Sequence, residues 1–418
     1  MGSTGLPGST GLPGSTGLPG TTGLPASTGL LPAAEARSLA DGCVIPAHPL
    51  ALTPQRRLDE RRQRALTRYY LAAGAGGVAV GVHTTQFAIR GAGLLRPVLE
   101  LARDTIDETL AAPSAAGVQR RPFLRIAGAC GELRQAIAEA ELAASLGYHA
   151  VLLGPAGGPE SDEADLLLRA KAVGEVLPIV GFYLQEAVGG QRLSRRFWRE
   201  LAELPSVVAA KIAPFDRYRT LEAIRGISES DRGSDVALYT GNDDAIVADL
   251  LTPLHLNVGQ RFVRRQIVGG LLGQWAVWTH SAVRMLERIH HVVRANGPAG
   301  PPGQAEPTES GTGSPAESDS PAESDSPDTD DPVTLLAEGA QLTDANAAIF
   351  DAAGNFAGCI AGVHEILRRQ GLLAGTWCLD PDETLSPGQV AEIDRVCIAY
   401  PHLTDDAFVR EHLDDWLR

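Results

Sequence analysis

The chain has almost no lysine. Of its 36 lysine and arginine side chains only Lys171 and Lys211 are lysines, which leaves 34 arginines. Cysteine is sparse as well: Cys43, Cys130, Cys359, Cys378 and Cys397 form no C-x-x-C pair, are odd in number and lie far apart. A disulfide framework is therefore not expected, and a reduced, cytoplasmic setting is. No basic segment followed by an apolar one opens the chain, so no signal peptide is read. No apolar run reaches the ~18 residues of a membrane span. The formal net charge of −15 argues against nucleic acid or an anionic membrane as a partner. Neither G-x-S-x-G nor a Walker sequence occurs. Glu287 and His291 stand four apart on a helical stretch, but no third ligand accompanies them, so no metal is expected.

The scarcity of lysine makes Lys211 informative. It lies in the apolar run 207–215, which reads as a short buried strand: Val207, Val208 and Ile212 are β-branched, with alanines between them. Arginine stays charged, whereas a desolvated lysine can lose its proton and become a nucleophile. A snorkelling or ion-paired lysine at a strand end fits the same pattern. Lys171 follows Asp162, Glu163, Asp165 and Arg169 in a helical pattern and reads as a solvated surface charge.

Residues 2–25 repeat GSTGLP, with glycine at every third position as in collagen. So short a run reads as a disordered low-complexity tail, placed at 1–37. From about Asp41 strands and helices alternate. Strands are expected at 43–50, 77–83, 122–127, 150–153, 177–183, 207–212, 236–239 and 266–271, with a helical pattern between each pair. Thr53 and Pro54 are expected to open the first of these helices. The helix after the third strand is expected to bury Leu133, Ile137, Ala140 and Ala144. Eight such units over roughly 255 residues predict an α/β fold, a (β/α)₈ TIM barrel, at 38–296. An open doubly wound sheet would lead its first strand into G-x-G-x-x-G, and here that place holds His48-Pro49-Leu50. Residues 297–332 carry nine Asp and Glu, no Lys or Arg, and the doublet SPAESD-SPAESD, which reads as a disordered acidic linker. A C-terminal helical extension is expected at 333–418, packed on the barrel or on a second subunit. One of its helices carries Ile360, Val363 and Leu367 and stops at Gly371. Another opens at a capping box of Ser386 and Gln389.

A barrel of this kind places its chemistry at the C-terminal ends of the strands. That rule gathers His83, Thr84 and Thr85, then Tyr183, Lys211 and Gly241-Asn242-Asp243-Asp244. Here the chain resembles the dihydrodipicolinate synthase and N-acetylneuraminate lyase superfamily of class I aldolases and lyases. Tyr183 ends the fifth strand, and Lys211 follows 28 residues later at the end of the sixth. Thr84-Thr85 stands at the place of the family's Thr-Thr pair. Gly128-Ala129-Cys130-Gly131 and the turn from Gly241 resemble its glycine turns after strands three and seven.

The resemblance implies that Lys211 forms a Schiff base with a 2-oxo acid such as pyruvate, without a cofactor. Tyr183 would shuttle protons, and Thr84 and Thr85 would hold the substrate carboxylate through hydroxyls and backbone N–H groups. His83, where the family usually has glycine, and Gly241 complete the expected substrate contacts. A homo-oligomer is expected. The chain departs from the synthase in two places. Val188 stands where the synthase has arginine, and Gly154-Pro155-Ala156-Gly157-Gly158 replaces its second tyrosine. A dehydratase or hydratase-aldolase on the same scaffold therefore stays open, as does a barrel that serves only as an interaction scaffold. The Asp243-Asp244 pair reads as a helix cap.

Overall fold

The computed structural model describes residues 30–112, 122–154, 161–296 and 331–418. The GSTGLP repeats, the acidic stretch up to residue 330 and residues 155–160 lie outside the described residues.

The described strands are β1 (Val44–Pro46), β2 (Gly77–Val80), β3 (Leu124–Ala129), β4 (Ala150–Leu153), β5 (Ile179–Leu184), β6 (Val207–Ala213), β7 (Ala237–Thr240), β8 (Leu254–Val258), β9 (Arg261–Arg265) and β10 (Ile267–Leu272). Eight of them form one parallel sheet in the order β1-β10-β7-β6-β5-β4-β3-β2. Its ends meet: Ala47 bridges Ala79 in parallel, and the His48 N–H donates to the Ala79 carbonyl at 2.8 Å. The result is the expected (β/α)₈ barrel. Parallel strands require crossover connections, and strands covered on both faces read as unbroken apolar runs. β6 is such a strand, buried at every position.

The helices are α1 (Ala33–Asp41), α2 (Glu60–Ala72), α3 (Leu95–Ala111), α4 (Leu133–Ser145), α5 (Glu163–Gly174), α6 (Arg195–Glu203), α7 (Arg217–Glu229), α8 (Ile246–Leu251) and α9 (Thr279–Ala295). Their starts follow from local chemistry. Asp59, Ser194 and Asp216 accept hydrogen bonds from the backbone N–H three residues on, at the heads of α2, α6 and α7, which satisfies donors a helix leaves unpaired. One apolar cluster, with Ile45, Ile126, Leu152, Val208 and Leu271, fills the barrel. A second, with Leu66, Leu99, Trp198 and Ile224, joins strands to helices.

Around the barrel the structure differs from expectation in several places. The tail placed at 1–37 ends too late, because α1 starts at Ala33; Leu31 and Leu39 bury against the barrel's inner cluster. α2 begins at Glu60 and not at Pro54. The Thr53 hydroxyl instead accepts from the N–H groups of Gln55 and Arg57, and Arg56 takes a left-handed φ of 54° that no helix accommodates. α4 buries Ala136, Glu139, Ala140 and Ala143 and leaves Leu133 at the surface. The reason is Glu139, which turns inward to meet Arg90 at 2.9 Å. Between β7 and β10 the short α8 gives way to the antiparallel hairpin β8–β9, turning at Gly259 with φ 59°. Finally, Ser386 and Gln389 lock together through the Ser386 N–H and Gln389 Oε1 at 3.0 Å, but the helix starts only at Gln389.

The C-terminal helices are α10 (Pro332–Ile349), α11 (Cys359–Arg369), α12 (Gln389–Ala399) and α13 (Asp406–Trp416). They pack on the barrel. Asp405 accepts from the Tyr69 hydroxyl at 2.7 Å and from the His280 N–H at 3.0 Å. Thr343 and Asn346 of α10 donate to the carbonyls of Asp244 and Asp243 at 2.8 and 2.7 Å. α10 thereby comes to lie over the C-terminal ends of the strands.

Candidate active site

Lys211 sits near the end of β6 and is 8% exposed. Its side chain points into the barrel mouth. The Nζ lies 4.4 Å from the centre of the Phe182 ring, and both residues line a cavity of about 60 Å³. The path of the lysine depends on Gly241. A Cβ there would stand 2.5 Å from Lys211 Cε and 2.7 Å from Ala213 Cβ, so only glycine leaves room for the chain. Burial pushes the Lys211 amine down to about 8, and the Asp243 carboxylate opposes the shift. Burial likewise pushes the Asp243 carboxyl up to about 7, opposed by Lys211 and by the Gln274 N–H that donates to Asp243 Oδ1 at 3.1 Å. His83 lines the same cavity. Burial, then the lysine charge, push its imidazole down to about 4, so it is neutral near pH 7.

Tyr183 is not part of this group. Its ring packs 5.4 Å from that of Trp198 on α6, and its hydroxyl accepts from the Leu193 N–H at 3.5 Å. It faces the helix layer. The cause is a bulge between β5 and β6. At the strand bottoms Ile179 pairs with Val207, an offset of 28 that would set Tyr183 beside Lys211. The next pair is Val180 with Ala209, which skips Val208, so Phe182 comes opposite Lys211 and Tyr183 opposite Ile212. A one-residue slip turns a side chain to the other face of its strand.

The two threonines also differ from expectation. Thr85 Oγ1 donates to the His48 carbonyl at 2.6 Å and accepts from the Gly81 and Val82 N–H groups, while its own N–H donates to the Val82 carbonyl. It clamps the turn after β2 and has no proton left for a carboxylate. Thr84 does reach the cavity wall, but its hydroxyl donates to the Ala47 carbonyl at 2.8 Å.

Sequence reasoning missed several walls of the cavity. Asp243 is no helix cap, since Ala245 occupies that position in α8 and no side chain caps it. Phe350, Phe356 and Cys359 come from the C-terminal region and close the mouth. Phe356 meets Phe215 edge-on at 5.8 Å, and both take left-handed φ values, 65° and 52°. Bulky residues adopt such angles only where the surroundings enforce them. Here the Asp351 carboxylate, accepting from the Gly358 N–H at 3.0 Å and the Ser386 hydroxyl at 2.5 Å, holds the loop. No signal in the sequence ties this loop to a strand end so far away. Among the described residues, no group of three His, Cys, Asp or Glu is placed to hold a metal ion. No helix among them is long and apolar enough to cross a membrane.

The barrel and its helical C-terminal region share the fold of dihydrodipicolinate synthases and N-acetylneuraminate lyases, which are among the solved structures the chain superposes on. Dihydrodipicolinate synthase from Oceanobacillus iheyensis superposes with a TM-score of 0.61 at 16% identity, covering 88% of this chain and 99% of that one. A prophage protein of the dihydrodipicolinic acid synthase family from E. coli K12, in complex with pyruvate, gives 0.60 at 16% identity over 86% and 97%. N-acetylneuraminate lyase from Fusobacterium nucleatum gives 0.57 at 14% over 86% and 98%. At these identities the likeness is one of fold. No protein-family model and no curated protein matches the chain.

Proposed function

We propose that the chain is a Schiff-base lyase or aldolase that acts on a small 2-oxo acid such as pyruvate, with Lys211 as the nucleophile. The observation that carries this reading is a buried amine at the C-terminal end of a barrel strand, facing a cavity and shifted toward neutrality. An uncharged amine adds to the C2 ketone. Loss of water gives an iminium, which draws electrons from a bond at C3 when a carbon-carbon or carbon-oxygen bond is made or broken. The cavity supports a small substrate: about 60 Å³ is room for roughly four to six water-sized groups, at about 10–15 Å³ each. Val188 lines the cavity at the place of the synthase arginine, so that position offers a second carboxylate no bidentate partner. Chemistry other than dihydrodipicolinate synthesis is therefore favoured.

Reduction with borohydride in the presence of pyruvate is expected to fix the acid irreversibly on Lys211 and to leave Lys171, exposed on α5, unmodified. Peptide mass mapping reads the outcome. Absence of an adduct with every member of a panel of 2-oxo acids would sink the proposal and favour a non-catalytic scaffold.

Tyr183→Phe separates this site from the one the motif spacing predicts. Since the hydroxyl faces Leu193, the variant is expected to trap pyruvate and turn over at the wild-type rate. Its stability should fall by no more than about 1 kcal/mol, the worth of one neutral hydrogen bond. Timed trapping and urea titration measure the two.

A further inference from the structure

We propose that Asp243 is the base that takes the C3 proton of the Lys211-bound substrate, the role the resemblance gave to a tyrosine. The inference rests on the Schiff-base reading above. The iminium of a 2-oxo acid becomes a nucleophile only by losing a C3 proton. The C3–H electron pair then forms the C2–C3 double bond, the C2–N π pair returns to nitrogen, and the proton passes to the base. With an aldehyde acceptor, the nitrogen pair re-forms the C2–N π bond, the C2–C3 π pair bonds to the carbonyl carbon, and the carbonyl π pair moves to oxygen, which takes the proton back from Asp243. Without one, the proton returns to C3. No oxidant or further reactant is needed.

Among the described residues, the groups that line the cavity with Lys211 leave few candidates. The Thr84 hydroxyl already donates to a carbonyl, and Tyr183 lies on the other face of its strand. His83 is held neutral and weakly basic by burial and the nearby cation. The Cys359 thiol, from α11, is held protonated by burial and by the charge of Asp243. Asp243 remains. It projects from the turn after β7, the strand paired with β6. The Gln274 N–H on Oδ1 and the Asn346 side chain on its backbone carbonyl fix it in place. Among the described residues no hydrogen bond occupies Oδ2. The charges of Asp244 and of Lys211 act on it in opposite directions. A carboxyl brought close to neutral pH suits a base that must also return its proton.

The test uses the full chain with pyruvate in D₂O, following methyl deuteration by proton NMR, with borohydride trapping run in parallel. Asp243→Asn keeps an oxygen for the Gln274 N–H. It is expected to trap pyruvate at Lys211 but to deuterate the methyl group at least about 10²-fold more slowly. Its trapping should also reach its plateau at lower pH, because the charge that holds the amine proton is gone; Asp243→Glu should restore part of the exchange. Normal exchange in Asp243→Asn, or exchange lost in His83→Gln but kept in Asp243→Asn, overturns the assignment. So does loss of trapping itself in a folded Asp243→Asn, which would make the residue a positioning group for the amine. A wild-type chain that traps no 2-oxo acid overturns the Schiff-base reading together with this one, whereas normal trapping and exchange in Asp243→Asn leaves that reading intact.

Discussion

Lys211→Arg is expected to lower turnover of a 2-oxo acid by at least about 10⁴-fold, the scale of losing a covalent nucleophile, and to abolish borohydride trapping. The substitution keeps the positive charge beside Asp243, so an effect of charge alone would be spared. Guanidinium does not add to a ketone, and it stays protonated at any working pH. Lys211→Met supplies the complementary control. It keeps most of the length of the side chain, removes the charge and leaves the Phe182 contact apolar. Taking an amine out of water is costly, so this variant should be equally inactive yet as stable as the wild type or more so. Retention of a tenth of the activity by either variant would place the chemistry elsewhere in the cavity. Rates come from a coupled assay or from NMR, and stability from urea titration.

The fold was legible because each strand of a parallel barrel is buried on both faces. β4 was readable to the residue, since its four apolar residues end between Gly147 and Gly154. Lys211 was legible for a related reason, as a buried lysine inside such a run. What escaped notice depends on pairing rather than on residue type. The spacing from Tyr183 to Lys211 sets their height along the strands but not their faces, and the skipped Val208 reverses the face of one of them. The hydroxyl of Thr85 looks free in the sequence and is consumed by the carbonyl of His48, a residue of another strand's end. The hairpin β8–β9 was visible in principle, because Leu254, Leu256 and Val258 alternate with polar residues before Gly259. Phe350 and Phe356 are the opposite case: only the docking of α10 across the strand ends brings them to the cavity.

Gly241→Ala is expected to reduce imine formation by about 10²-fold, the cost of displacing a reacting group by about an ångström, although the residue takes no part in the chemistry. Its new methyl would need the space of Lys211 Cε and of Ala213 Cβ. The backbone cannot open to admit it, because the Gly241 N–H donates to the Ile212 carbonyl at 2.8 Å and ties the two strand ends together. The movable partner is the lysine, so the amine is the group displaced. Overpacking at Ala213 should also lower stability by about 1–3 kcal/mol. The double variant Gly241→Ala, Ala213→Gly tells the two effects apart. It removes the clash with β6 but not the clash with the lysine, so it should recover stability while trapping stays slow. Neighbouring substitutions of this kind are not additive, and the sign of the coupling is the readout. A single variant that traps pyruvate as fast as the wild type would mean that Lys211 does not run over Gly241, and the placement of its amine in the cavity would have to be abandoned.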